Sequence, residues 1–239
     1  METAYAPSRM VGILGGMGPS ATADFYAKLI AHTPASVDQE HLRVVVWADP
    51  TVPSRQEAIL SNGRDPSPWL ETGLQRLQQC GAEIVVVPCN TVHRYLPPIM
   101  EGQPTEFISI IDTTIQAVQR IAGEGAIGLL ATDGALLSGI YQQALGDAGY
   151  SVAQPSLEDQ SRLMEIVHRV KAGDTGPELY VDMRRILANL ECQGVRAAVV
   201  GCTELSTLLE QVDGGGSMLL IDPAVELAIA TVSSARQQR

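Results

Sequence analysis

Two segments of the chain share one local pattern, in which an apolar run ends in a cysteine and small polar residues. Residues 85–93 read VVVPCNTVH, and residues 198–204 read AVVGCTE. Continuous aliphatic runs are typical of strands that are buried on both faces of a parallel sheet. Because ligands bind outside the carboxyl ends of such strands, the pattern predicts that Cys89 and Cys202 lie at two strand ends where a site would form.

The two cysteine segments belong to a longer internal repeat. Cys202 follows Cys89 by 113 residues (202 − 89), and residues 128–145 resemble residues 12–29 in their order of strand, glycine turn and helix. A third pair consists of SIID and LLID, and their aspartates, 110 residues apart (222 − 112), are each predicted to cap a helix. Three landmarks that recur in one order at nearly one spacing indicate a duplicated architecture.

The repeat predicts an α/β protein with two pseudo-symmetric domains. Alternating strand and helix patterns favour a mostly parallel sheet flanked by helices in each domain, with the active site in the cleft between the domains. We place the N-terminal domain at residues 10–115, completed by residues 222–239, and the C-terminal domain at residues 116–221. Residues 49–60, DPTVPSRQEAIL, are rich in proline and polar side chains and are predicted to form a loop.

The charge of the chain argues against several classes of partner. Lys and Arg number 16 against 27 Asp and Glu, and the formal net charge of −11 repels nucleic acid and anionic membranes. An anionic small molecule would therefore need local cations. No apolar run reaches the roughly 18 residues of a membrane-spanning helix and METAYAPSR lacks an apolar signal region, which together predict a cytoplasmic protein with reduced thiols. The four histidines lack metal-site spacing.

Two thiols that face each other across a cleft could invert the configuration of a carbon atom. One thiolate removes a proton from one face of a tetrahedral carbon, and the opposite thiol delivers a proton to the other face. Cysteine suits this role because its ordinary pKa of about 8.5 can be lowered by its surroundings. By contrast, Cys80 and Cys192 precede glycine turns at predicted helix ends, and we expect them to be small buried residues without a catalytic role.

Four residues beside the cysteines allow both a functional and a structural interpretation. Thr91 and Thr203 could contact substrate or cap the helices that they begin, and the two roles can coexist. Asn90 could bind substrate or tolerate a strained turn. Glu204 could be a proton partner of the neighbouring thiol or a solvated carboxylate at a helix start.

Two further features have similar alternatives. His93 could tune Cys89, but a surface or hydrogen-bonded structural histidine is the favoured interpretation. The glycine-rich stretch 15–18 lacks the spacing of nucleotide-binding loops, so it is either a turn whose backbone approaches a small substrate or a tight turn alone. We favour substrate contact.

Five motifs together resemble the aspartate/glutamate racemase family, and in particular its aspartate racemase branch. They are GGMGPSAT at 15–22, PCNTVH at 88–93, GLLAT at 128–132, SGIY at 138–141 and GCTE at 201–204. The resemblance extends from Val11 to about Ala230. It implies an amino-acid racemase that needs no pyridoxal or other cofactor, a homodimer of two-domain subunits, and Cys89 and Cys202 as the acid/base pair.

The resemblance also implies which residues hold the substrate. Thr91, Thr203 and Asn90 would bind the α-carboxylate and amino group, while Arg55 and Lys171 match positions where the family places cations for carboxylates. The predicted substrate-binding residues are Met17, Arg55, Asn90, Thr91, Thr132, Lys171 and Thr203, with Glu204 as an auxiliary residue.

The chain departs from the family pattern at Asp133 and Ala135, where relatives often carry hydroxyl residues. A carboxylate near the cleft would disfavour an acidic substrate side chain, so this departure argues against the specificity that the rest of the resemblance implies. On the resemblance, aspartate remains the first choice of substrate, glutamate the second and a broader range of amino acids the third. Two other functions remain open: a cysteine-dependent decarboxylase or isomerase on the same scaffold, and a non-catalytic binding protein for acidic amino acids.

Overall fold

Each half of the chain forms a four-stranded parallel sheet. A computed structural model describes residues 8–174, 176–209 and 218–237. The strands are β1 Val11–Gly15, β2 Val44–Ala48, β3 Ile84–Val86, β4 Glu106–Ile108, β5 Ala126–Leu130, β6 Ser151–Ala153, β7 Ala197–Val200 and β8 Leu219–Ile221. Their orders are β2-β1-β3-β4 and β6-β5-β7-β8, and every neighbouring pair is parallel. The predicted pair of pseudo-symmetric α/β sheets is confirmed.

Helices connect the strands and cover the sheets. The α-helices are α1 Pro19–Ala31, α2 Arg55–Leu60, α3 Ser67–Gln79, α4 Leu96–Met100, α5 Ile110–Ile121, α6 Asp133–Ser138, α7 Ile140–Asp147, α8 Leu157–Lys171, α9 Pro177–Cys192, α10 Thr203–Leu209 and α11 Pro223–Arg236. Two short 3-10 helices cover Asp38–Glu40 and Thr91–Arg94. Among the described helices, none is long and apolar enough to span a membrane.

The register of the sheets makes the internal repeat more regular than the sequence predicts. Ile84 lies opposite Glu106 in the first sheet, and 113 residues later Ala197 lies opposite Leu219 in the second (197 − 84 and 219 − 106). The offset equals that of the two cysteines. It therefore pairs Asp222 with residue 109 rather than residue 112.

Helix capping agrees with this register. Asp222 caps α11 as predicted, because its Oδ1 accepts the N–H of Ala224 at 2.8 Å. The prediction that Asp112 caps α5 is wrong: Ser109 is the N-cap, and its Oγ accepts the N–H of Asp112 at 3.2 Å. Both residue types are good caps, so composition alone did not distinguish two candidates three residues apart.

The prediction of a loop over residues 49–60 is also wrong at its carboxyl end. Residues Arg55–Leu60 form α2, and the Ser54 hydroxyl caps it by accepting the N–H of Glu57 at 3.3 Å. Ser54 and Glu57 have the spacing of a capping box, a helix-start signal that the surrounding prolines obscured.

One apolar cluster joins the two halves. It includes Ile13 and Phe25 from the first half, Ile127 and Leu129 from the second, and Leu227 on α11. The last helix returns to the first half, where α11 packs against α1 and α5. Because the halves share this core, their positions on either side of the intervening cleft are fixed by aliphatic packing.

Candidate active site

The carboxyl ends of the four central strands converge on one cleft. Met17 follows β1, Cys89 follows β3, Thr132 follows β5 and Cys202 follows β7, and all four residues line the cleft. Each strand is a central one in its sheet. Both sheets therefore direct their strand ends towards the same space, where open α/β sheets bind ligands.

All ten residues predicted for the site lie in the wall of this cleft. The lining residues are Met17, Ser54, Arg55, Gln56, Cys89, Asn90, Thr91, Thr132, Lys171, Gly201, Cys202, Thr203 and Glu204. Sequence reasoning missed Ser54, Gln56 and Gly201. The capping box at the start of α2 would have indicated the first two, because it places Ser54 at the N-cap and Gln56 in the first turn of the helix that begins at Arg55.

Cys89 and Cys202 are buried thiols, with 8% and 5% of their surface exposed. Cys80 and Cys192 lie at the carboxyl ends of α3 and α9, as predicted, but the expectation that they are buried is wrong because both are exposed. Only the thiols at the strand ends, among the four cysteines, are enclosed by the cleft.

His93 supports the backbone at Cys89. Its Nε2 accepts the N–H of Ile110 at 3.2 Å, so the proton of the neutral ring lies on Nδ1. Nδ1 donates to the carbonyl oxygen of Cys89 at 2.8 Å. Burial lowers the pKa of His93 to about 4, although the hydrogen bond to the carbonyl of Cys89 opposes this change. The structure therefore agrees with the interpretation of His93 as a hydrogen-bonded structural histidine.

Stability is expected to fall as the pH drops from about 6.5 towards about 4, because His93 then binds a proton in the unfolded chain but not in the folded one. The contribution of this residue to the free energy of unfolding should decrease by about 3 kcal/mol, at 1.36 kcal/mol per unit of pKa difference. Urea unfolding over this pH range would measure the change. His93→Gln, which cannot titrate, should flatten the dependence, and an unchanged slope in this variant would contradict the assignment.

The thiol of Cys202 is hydrogen-bonded to a carboxylate. The thiol donates to Glu204 Oε2 at 3.1 Å, and Lys171 Nζ lies 3.8 Å from Glu204 Oε1. Burial raises the pKa of Cys202 well above its ordinary value, and the negative charge of Glu204 raises the pKa further, while Lys171 lowers it. The equivalent position after Cys89 is Thr91, so the two thiols have different neighbours.

Replacing Glu204 by glutamine is expected to lower the pKa of Cys202, because the substitution removes the negative charge that favours the protonated thiol. Cys202 should then react with iodoacetamide at a lower pH, as measured by mass spectrometry of the peptide that contains it. The exposed Cys80 and Cys192, which lie outside the cleft lining, provide internal controls, and their rates of alkylation should not change. If Cys202 reacted at the same or a higher pH, Glu204 would not set its protonation.

Arg55 holds three backbone carbonyl groups at the edge of the cleft. Its guanidinium donates to Val52 at 3.2 Å, to Pro53 at 3.1 Å and to Met17 at 3.1 Å. Arg55 therefore fixes the glycine-rich turn that carries Met17 against the start of α2. A guanidinium has five N–H donors, so two remain beyond these three bonds.

Two hydrogen bonds join the halves across the rim of the cleft. Gln56 Oε1 accepts the N–H of Gly134 in α6, and Thr91 Oγ1 lies 3.4 Å from Thr132 Oγ1. A Cβ at Gly134 would lie 2.4 Å from Gln56 Oε1, so a side chain at this position would displace the Gln56 amide and break the hydrogen bond. Asp133, expected to repel an acidic substrate, instead accepts a hydrogen bond from Gln160 at 2.7 Å and lies outside the cleft lining.

Comparisons with known proteins agree with this architecture. Residues 14–231 match the model of the Asp/Glu/Hydantoin racemase family. A solved structure described as Picrophilus torridus aspartate racemase superposes with a TM-score of 0.85 at 31% sequence identity, covering 96% of this chain and 95% of that one.

Two curated relatives carry other substrate names. The broad specificity amino-acid racemase RacX of Bacillus subtilis is 24% identical over 229 residues, which cover 94% of this chain and 97% of that protein. A glutamate racemase of Desulforudis audaxviator is 28% identical over 159 residues, but these cover 65% of this chain and 56% of that protein. The family match spans most of the sequence and both cysteine segments, and the chain is therefore an isomerase of the Asp/Glu/hydantoin racemase family.

Proposed function

We propose that the protein interconverts L- and D-aspartate by two-base proton transfer between Cys89 and Cys202, without a cofactor. The observation that carries this proposal is the presence of both buried thiols, at equivalent strand ends of the two halves, in the wall of one cleft. A planar intermediate between two such groups can lose a proton on one side and gain a proton on the other.

The proposed reaction needs no reactant other than the substrate and the two cysteines, because one proton is removed and one is returned. One cysteine, as a thiolate, takes the α proton, and the electron pair of the broken C–H bond moves towards the α-carboxylate. The second cysteine, as a thiol, gives its proton to the opposite face of the α carbon. Because Glu204 favours the thiol form of Cys202, we propose that Cys202 is the acid and Cys89 the base in the resting protein.

The choice of aspartate is supported by the cations of the cleft and by the similarity to the Picrophilus protein. Arg55 and Lys171 could each approach a carboxylate, which a protein with a net charge of −11 would otherwise repel. Thr91, Thr203 and Asn90 would hold the α-carboxylate and amino group. Glutamate or a broader range of amino acids is the second candidate, supported by the similarity to the glutamate racemase and to RacX.

Solvent exchange tests the function directly. The purified protein with L-aspartate in deuterium oxide, without added cofactor, should form D-aspartate that carries deuterium at the α carbon, as detected by NMR and chiral chromatography. Release of carbon dioxide would instead indicate the decarboxylase. Binding by calorimetry without α-proton exchange for aspartate, glutamate or other amino acids would indicate the binding protein and overturn the proposal.

We also propose a cytoplasmic homodimer, with domains at residues 10–115 plus 222–239 and at residues 116–221. The return of α11 to the first half supports this division, although residues 175, 210–217, 238 and 239 lie outside the described ones. Sedimentation would test the dimer, and limited proteolysis would test the domain limits.

A further inference from the structure

A hydrogen bond between the halves fixes the amide of Asn90. Asn90 follows Cys89 in the cleft wall and is 3% exposed, and Tyr141 on α7 is fully buried. The Tyr141 hydroxyl lies 2.5 Å from Asn90 Oδ1. This contact joins the segment after β3 in the first half to a helix of the second half.

The direction of this hydrogen bond follows from the neighbouring hydroxyl. Thr114 Oγ1 donates its single proton to the carbonyl of Ile110 at 2.6 Å, so it has none to donate to Tyr141, whose oxygen is 3.5 Å away. The Tyr141 proton is therefore directed to the closer acceptor, Asn90 Oδ1. Burial raises the pKa of Tyr141, which keeps the phenol protonated and therefore a donor.

With its oxygen bound to Tyr141, the Asn90 amide presents its nitrogen on the other side. Asn90 Nδ2 is buried and has no hydrogen-bond partner within residues 8–174, 176–209 and 218–237. Leaving a buried N–H donor unpaired is costly, and this one belongs to a residue that lines the cleft. A ligand that supplies an oxygen acceptor would remove the cost.

We propose that Tyr141 is a positioning residue that sets the polarity of the Asn90 amide, so that this wall of the cleft offers an N–H donor to a carboxylate of the substrate. The inference rests on the proposed function, and it narrows the role of Asn90: the residue binds a carboxylate and not the ammonium group. Without the Tyr141 hydroxyl, the amide can rotate and present its oxygen, which repels a carboxylate.

Succinate, which is aspartate without its amino group, provides an unreactive probe of carboxylate binding. Tyr141→Phe should weaken succinate binding by about tenfold in calorimetry, the effect of losing one hydrogen bond to a charged group. In an Asn90→Ala background the same substitution should change the affinity less than about twofold, because the coupled partner is gone. Equal losses in both backgrounds, or no loss in either, would overturn the positioning role.

Two further variants separate polarity from packing. Asn90→Asp retains the acceptor for Tyr141 but replaces the donor by a carboxylate oxygen, and it should weaken succinate binding more than Tyr141→Phe does. Tyr150→Phe removes a hydroxyl from a half-buried tyrosine of the same half and should leave the affinity unchanged. Succinate affinity in Asn90→Asp equal to that of the unsubstituted protein would overturn the proposal.

NMR gives a readout that does not depend on catalysis. The chain has three asparagines, Asn62, Asn90 and Asn189, so 15N-asparagine labelling yields three side-chain amide signals, and Asn90→Ala assigns one of them. Succinate should shift the Asn90 amide signal in the unsubstituted protein, and Tyr141→Phe should broaden or move the signal before any ligand is added. An Asn90 signal that responds to neither succinate nor the Tyr141→Phe substitution would overturn the positioning role.

The failure of the positioning role and the failure of the racemase function can be distinguished. If the effects on the Asn90 signal occurred without α-proton exchange in any amino acid, the positioning role would stand and the racemase function would fail.

Discussion

Replacing either Cys89 or Cys202 by alanine is expected to lower the rate of aspartate racemisation by roughly 10²–10⁴-fold, the range that a positioned acid or base contributes. Each variant retains one thiol, which can exchange a proton on one face of the substrate but cannot complete the inversion. Chiral chromatography of product from each pure enantiomer would measure the loss.

The two exposed cysteines provide matched controls for these substitutions. Cys80→Ala and Cys192→Ala remove the same sulfur atom at helix ends outside the cleft and should keep the full rate. Thermal unfolding should show that the Cys89 and Cys202 variants remain folded, since a small buried side chain is exchanged for a slightly smaller one. A folded single variant that racemises at the full rate would refute the two-base assignment.

Arg55→Lys is expected to lower kcat/KM for aspartate by about 100-fold although the positive charge is retained. Lysine has one nitrogen and cannot hold the carbonyl groups of Val52, Pro53 and Met17 in the fixed fork that a guanidinium provides. Losing two hydrogen bonds to a charged donor, each worth roughly 1.5 kcal/mol or more, accounts for this ratio at 1.36 kcal/mol per tenfold.

Steady-state kinetics of both enantiomers would measure the effect of Arg55→Lys. Arg64→Lys is the matched control, because Arg64 is exposed, stacks on Trp69 and lies outside the cleft lining. Its kcat/KM should be unchanged. If Arg55→Lys kept the kinetics of the unsubstituted protein, the charge of Arg55 alone would suffice and its three carbonyl contacts would not position the cleft.

The location of the cleft could be predicted from the sequence because local patterns specify strand ends. An aliphatic run followed by a small polar residue marks such an end, and the repetition of this pattern around Cys89 and Cys202 placed both residues in equivalent positions. The parallel sheets follow from the same aliphatic runs. The position of Met17 could be predicted from the glycine-rich turn after the first strand, and that of Thr132 from the second copy of this segment.

The contacts between the halves could not be predicted in this way, because they depend on tertiary packing. Gln56 contacts Gly134, and Asn90 contacts Tyr141, across separations of 78 and 51 residues. No local periodicity encodes which side chains meet at such distances along the chain. The orientation of the Asp133 side chain could not be predicted from the sequence either, because its hydrogen-bond partner Gln160 lies on a different helix.

The repeat has diverged two residues after each cysteine, where one copy has Thr91 and the other has Glu204. Mirror-image amino acids have the same free energy in water, so the equilibrium constant of a racemase is one and kcat/KM must be equal for the two enantiomers. A carboxylate beside only one of the thiols can therefore favour turnover of one enantiomer only if the KM of that enantiomer rises by the same factor. If Cys89 and Cys202 act as the proposed acid and base, their unequal surroundings should give the two enantiomers different values of KM, while the final mixture stays racemic.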